Sequence, residues 1–276
     1  MAPEVTKNVF VRTGQFRLHE SYSRRVALAA RFVRGKLHNQ RTLILRSNRG
    51  QEASAASERL AGYAGQIGAL IGEVERLPIE EDGPPDPRYP QAQSALGALH
   101  GLEGAGAAAF FAAFRHLLKQ DLGFDGRHRR PPTDPINVLL SYGYTLLMNH
   151  VLSAVQIAGF DPYIGFLHSE GYGKPALALD LMEEMRTPIV DSVVMTVINK
   201  GILRAEHFED VLGIHRLTVS GRKLYLQQFE QRLNTEIEHP VFKYKATYRR
   251  CLELQARLLA KFVLGELPEY RPFQIR

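Results

Sequence analysis

From Ser23 to Leu45 apolar residues recur every three or four positions, with Val26, Ala29, Ala30, Val33 and Leu37 on one side and arginines and a lysine on the other. That spacing predicts an amphipathic helix with a basic face. A second stripe, Leu60, Tyr63, Ile67, Leu70, Ile71 and Val74, predicts a helix within 51–77, its glutamates lying off the stripe. The run from Val138 to Gly159 is apolar on nearly every side, which predicts a central helix. Further helices are expected over 175–199, 204–212, 222–234 and 239–264. Only two stretches alternate as strands do: "KNVFVRTGQF", with Val9, Val11 and Phe16 as its apolar side, and "IHRLTVS". Proline-rich breaks fall at Pro78–Pro90 and Arg127–Asn137, because proline removes a backbone donor and clashes with the preceding turn. The closing "LPEYRPFQIR" reads as irregular. The expected fold is all-α, a single multi-helix domain over residues 21–276, with at most a short strand remnant in 1–20.

Composition narrows this picture. A chain of 276 residues with 45% hydrophobic content can bury a sizeable core, and its net charge of +6 suits a polyanionic partner. One cysteine, Cys251, excludes an intramolecular disulfide and a cysteine-based zinc site, which agrees with a reducing cytoplasm. Its place in "YRRCLELQARLL" is an ordinary helical position for a small half-buried thiol, so a structural role is expected. The opening residues lack the apolar core of a secretory signal. The longest uninterrupted apolar run, Ala105–Phe114, is about half of the roughly 20 residues that a bilayer requires, so no membrane crossing is expected.

Candidate chemistry gathers in "GFLHSEGYGKPALALDLMEEM". Asp180 and Glu183 are three apart and share a helix face, and His168 precedes them across a short loop. A divalent-metal site for phosphate chemistry needs such oxygen ligands with an imidazole, and a further acid is available in Glu103. Glu103 sits among Gly101, Gly104 and Gly106, where a helix has little side-chain bulk and another helix or a ligand can approach closely. Each feature has a plain structural alternative: tight helix packing, a histidine bonded to a carbonyl, acids beside a helix dipole. "EGYGKP" is no phosphate loop, since proline stands where a magnesium-binding Ser or Thr belongs. Basic clusters occur around Arg127, Arg129 and Arg130, around Arg34, Lys36 and Arg41, and around Lys243, Lys245, Arg249 and Arg250. They are either solvated surface or contacts to a nucleic-acid backbone.

Four ordered segments, "LHGLEGAGAAAFF", "RRPPTDPINVLLSYGYTLL", "GFDPYIGFLHSEGYGKPALALDLMEEMRTPIVDSVV" and "YRPFQIR", resemble the helical domain of the CRISPR spacer-acquisition integrases, the Cas1 family. The resemblance implies a Mg²⁺- or Mn²⁺-dependent integrase with endonuclease activity. Its metal and catalytic residues would be Glu103, His168 and Glu183, with Asp180 as an auxiliary acid. Spacer DNA would be joined to the array by attack of a 3′-hydroxyl on a repeat phosphodiester. The implied partners are double-stranded spacer and CRISPR repeat DNA, the small Cas2 protein and a second copy of the chain. Candidate DNA contacts are Arg129, Arg130, Lys174, Arg41 and Arg249, while Asn137 and Tyr142 are read as supporting or packing groups. Family members carry an N-terminal β-rich domain, of which residues 1–20 look like a remnant or linker. The alternatives are a nuclease that uses water in place of the 3′-hydroxyl and a catalytically silent DNA-binding or assembly subunit.

Overall fold

The computed structural model describes residues 8–49, 52, 54–79, 95–128, 131–168, 171–211 and 214–276. Among these it contains α1 (Val9–Glu20), α2 (Tyr22–Asn48), α3 (Ala55–Arg76), α4 (Ala95–Leu117), α5 (Pro135–Ile157), α6 (Ala176–Met185), α7 (Ser192–Asn199), α8 (Val219–Leu233) and α9 (Tyr248–Val263). Two small antiparallel ribbons pair β1 (Phe208–Val211) with β2 (Ile214–Leu217), and β3 (Glu236–Glu238) with β4 (Lys245–Thr247). The expected all-α class holds.

Helix starts follow local chemistry. Ser54, Asp134, Thr218 and Thr247 each accept a hydrogen bond from a backbone N–H in the first turn of α3, α5, α8 and α9, satisfying donors that have no partner within the helix. Pro135 opens α5, where its missing N–H costs nothing. Helix α2 packs on α3, α4 and α6, and α5 packs on α6 and α9. Leu37, Ile67, Phe110, Leu147, Leu181 and Leu259 all belong to the core between these helices. By length and composition α5 is long and apolar enough to cross a membrane, but here it is a core helix.

Three expectations are corrected. The strand expected at the N-terminus is α1: Asn8 accepts from Val11 N, and the buried residues are Val11, Gln15 and Leu18, at helical spacing. Val9, Phe10 and Phe16 are exposed, so the apparent alternation was accidental. The helix expected over 204–212 is a single 3-10 turn, Ala205–His207, followed by β1, whose backbone groups find their partners in β2. The helix expected over 239–264 begins only at Tyr248, because the β3–β4 ribbon takes up the preceding residues.

The helix expected over 175–199 is interrupted by a π-helical segment, Arg186–Asp191, between α6 and α7. Pro188 causes this locally: it has no N–H to give to the carbonyl of Glu184, four residues back. Asn39 Nδ2 donates to that carbonyl at 2.7 Å.

A candidate metal centre

Three elements converge beside α6. The loop leading to His168 lies close against α6 because residue 165 is glycine: a Cβ there would come within 2.7 Å of Ala176 and 2.9 Å of Asp180 Oδ2. Asp180 is thereby brought under the loop, where it accepts from the N–H groups of Phe166, Leu167 and His168, the last two at 3.0 and 2.8 Å. It also accepts from His168 Nδ1 at 2.7 Å. With Nδ1–H donating to Asp180, His168 Nε2 is the nitrogen that carries the lone pair, and it lies 3.8 Å from Glu183 Oε1. Asp180 thus orients the imidazole in the way that carboxylates orient metal-binding histidines.

Helix α1 holds the same loop from the other side. Gln15 Nε2 donates to the carbonyls of Asp161 and Ile164 at 2.8 and 2.7 Å, and its Oε1 accepts from Asp161 N at 2.9 Å. His19 Nδ1 donates to the carbonyl of Gly165 at 2.6 Å, and from α2 Arg25 Nε donates to that of Phe166 at 3.0 Å. The segment expected to be a remnant therefore supports His168.

Glu183 is almost fully buried and faces cations. Arg186 approaches its Oε1 at 3.0 Å and Lys36 Nζ its Oε2 at 2.6 Å. Burial pushes the carboxyl upward, but the charges of Arg186, Lys36 and then His168 outweigh it and hold the group below the ordinary carboxylate range. Glu103, from α4, is bonded to the same Lys36 ammonium. Of its neighbours, Gly101 and Gly104 face open space and leave an approach to the site, whereas a side chain at Gly106 would collide with Leu37 of α2. Only the third of these glycines serves helix packing.

The expected set Glu103, His168, Asp180 and Glu183 is thus brought together in one place. Two carboxylates and an imidazole with a basic Nε2 are a donor set that fits a hard divalent cation. Glu183 Oε2, buried against the ammonium but without hydrogen-bond geometry, is an oxygen such a cation can take. Among the described residues no three acidic or histidine side chains are already closed on one point, and Lys36 stands between the two glutamates. Sequence reasoning missed Lys36, counting it among surface cations, and missed His100. His100 lies one turn before Glu103, donates from Nε2 to the carbonyl of Leu167 (3.0 Å), and meets the ring of His168 edge-on at 6.1 Å.

A cleft of about 290 Å³ is lined by Lys36 and Arg186, the cations paired with Glu183, and by Arg127, Ser141, Tyr144 and Asp191 among others. The guanidiniums of Arg127 and Arg186 lie 5.6 and 4.6 Å from the Tyr144 ring centre. Tyr144 in turn donates to Asp191, whose carboxyl burial pushes upward. Tyr144 lines this cleft, while Tyr142 packs on Tyr225 in keeping with its expected packing role. Asn137 is buried and braces the preceding loop through His128 N, Arg127 and Gly126 O.

The expected DNA contacts are scattered. Arg41 Nε donates to the carbonyl of Ala64 at 3.2 Å and so ties α2 to α3. Arg249 is paired with Glu230 at 2.6 Å. Lys174 sits in the loop between His168 and α6, with its N–H bonded to Gly171 O at 3.0 Å. Arg129 and Arg130 lie outside the described residues.

A family model described as "CRISPR associated protein Cas1" matches residues 1–231. The chain is 41% identical over 271 residues to "CRISPR-associated endonuclease Cas1 3" of Thermus thermophilus, a match covering 98% of this chain and 73% of that protein. It also matches, at 38% identity, a protein of Geobacter sulfurreducens called a Cas4 exonuclease/Cas1 endonuclease fusion, of which it spans 46%. Among solved structures, one titled "Partial Cas6-RT-Cas1--Cas2 complex" superposes with a TM-score of 0.78 at 26% identity, covering 99% of this chain and 74% of that one. A casposase bound to an integration product superposes with a TM-score of 0.80 at 22% identity, covering 98% and 69%, and so shares the fold.

Proposed function

The chain belongs to the Cas1 family, and from that membership we propose that it is a divalent-metal-dependent DNA endonuclease and integrase of CRISPR adaptation. The observation that supports this most is the grouping of Glu103, His168 and Glu183, from α4, a loop and α6, around the Lys36 ammonium and Glu183, with Asp180 fixing the imidazole. Glu103, Glu183 and His168 Nε2 would hold Mg²⁺ or Mn²⁺, which supplies a counter-charge for the phosphate and for the attacking oxygen.

The chain's own groups account for the rest. Asp180 accepts from Nδ1–H of His168 and so holds the proton on Nδ1, which leaves Nε2 a lone-pair donor. Arg186 holds Glu183 ionised and, with Arg127, gives the adjoining cleft the positive charge that phosphate oxygens require. No side chain need form a covalent bond to DNA: a 3′-hydroxyl attacking the phosphodiester forms a new P–O bond as the bond to the target strand's own 3′-oxygen breaks, one hydroxyl losing a proton and the other gaining one, whereas water in its place gives cut ends. The partners on this reading are spacer and repeat DNA, Cas2 and a second copy of the chain, in a prokaryotic cytoplasm.

The test is a strand-transfer assay with labelled spacer DNA, a repeat-containing target, Cas2 and Mn²⁺. Joined products that vanish in His168→Ala are expected. Undiminished transfer by that variant would remove the site, and salt-sensitive DNA binding without metal-dependent products would identify a silent assembly subunit.

A further inference from the structure

Lys36 comes from the basic stretch "RGKLHNQR", yet its side chain is only 6% exposed. Its ammonium bridges Glu103 and Glu183, the two carboxylates that the proposed function gives to a divalent cation. An ammonium and a metal ion cannot share that position, because like charges at contact distance repel strongly where water is excluded. Arg186 does not face the same conflict: it holds the other oxygen of Glu183 and is laid against Tyr144.

A second observation shows where the ammonium can go. Gln40, one turn further along α2, is 2% exposed and lines the same cleft as Lys36. Its Oε1 is buried without a hydrogen-bond partner. Residues four apart on a helix are within reach of each other, and the lysine stem is flexible.

We propose that Lys36 is a built-in stand-in for the metal. In the metal-free protein its ammonium holds Glu103 and Glu183 in ligating order. A divalent cation displaces it toward Gln40 Oε1 and the cleft, where it adds to the positive charge facing phosphate. Lys36 is thus a positioning residue that competes with the metal, an inference that rests on the metal-dependent reading of the site.

The experiment is calorimetric titration of Mn²⁺ alone into the intact wild-type chain and the variants Lys36→Met, Gln40→Leu and Glu183→Gln, with thermal melts of each. Lys36→Met is expected to bind Mn²⁺ at least tenfold more tightly, to melt lower without metal, and to gain more from added Mn²⁺ than wild type does. Gln40→Leu, which removes the receiving oxygen, is expected to bind Mn²⁺ several-fold more weakly. A folded Lys36→Met that binds no more tightly than wild type overturns the inference. Should that variant not fold, unchanged Mn²⁺ binding in Gln40→Leu overturns it instead. If Glu183→Gln binds as wild type does, the metal reading itself falls and this inference with it. Loss of binding in Glu183→Gln with unchanged binding in Lys36→Met removes the role of Lys36 alone.

Discussion

Glu183 and Glu184 are adjacent, equally buried residues of α6, yet the two sides of the helix treat them oppositely. Glu183 points at cations and is held ionised by Arg186 and Lys36 against the pull of burial. Glu184 points at the C-terminal tail and meets only neutral donors: Tyr270 Oη at 2.7 Å, Gln255 Nε2 at 2.8 Å and Phe273 N at 2.9 Å. Burial dominates there and pushes its carboxyl up to about 7, although all three hydrogen bonds pull the other way. One helix turn thus carries a cation-paired carboxylate on one face and a tail-binding latch on the other. Charge next to a buried acid makes a site, and neutral donors make a tether.

The tail closes over that latch. Asn39 donates to the carbonyls of Glu184 and Phe273 at 2.7 and 2.8 Å and accepts from Ile275 N at 2.9 Å. Gly35 allows the approach, since a Cβ there would come within 2.7 Å of Pro272.

Exchanging the two roles by mutation gives the largest contrast. Glu183→Gln should lower metal-dependent strand transfer about a thousandfold while leaving a folded protein. Glu184→Ala should cost about 3–5 kcal/mol of stability by thermal or urea unfolding, because three buried donors lose their acceptor. If both variants lost stability equally and kept equal activity, the division between the two faces would be wrong.

Next in size is Asp180→Asn, which leaves the ligands in place but disturbs the His168 tautomer and the loop N–H groups. Transfer should fall by about 10- to 100-fold, with Mn²⁺ affinity falling in parallel.

The pH dependence of stability should separate the carboxylates by sign. An unfolded glutamate titrates near 4.5 and folded Glu184 near 7, so the folded state holds an extra proton between these values. The contribution of Glu184 is therefore greatest below pH 4.5 and is lost as pH rises to 7, by about 3 kcal/mol. Folded Glu183 titrates below its unfolded value, so its contribution is present above pH 4.5 and is lost only as pH falls through the acid range. Unfolding midpoints of wild type and Glu184→Gln across pH 5 to 8 should diverge, with the variant the less sensitive; parallel curves would reject the assignment. The smallest effect is that of Tyr270→Phe, which removes one donor to Glu184 and should cost about 1 kcal/mol in the same unfolding assay.

Much of this was legible in the chain. The stripes in α2 and α3, the all-round apolarity of α5 and the spacing of Asp180 and Glu183 each depend on a period within one element, and a period is a local property. Glu103, His168 and Glu183 stood out as available ligands, the resemblance gave them a shared role, and the fold places them around Lys36. Reading by period failed where a partner from elsewhere decided the outcome. Alternation at Val9 and Val11 concealed a helix whose buried Gln15 serves a loop 146 residues away.

By itself, then, the sequence determined the helical character of α2, α3, α5, α6 and α8, and that carboxylates and an imidazole are available to one site. Tertiary structure alone decided that Lys36 leaves the surface to sit between two glutamates, that Asp180 orients rather than faces the pair, and that Glu184 binds the tail. The physical reason is that a charged group's role depends on which distant groups share its dielectric surroundings, and those neighbours, 67 residues apart for Lys36 and Glu103, are chosen by packing.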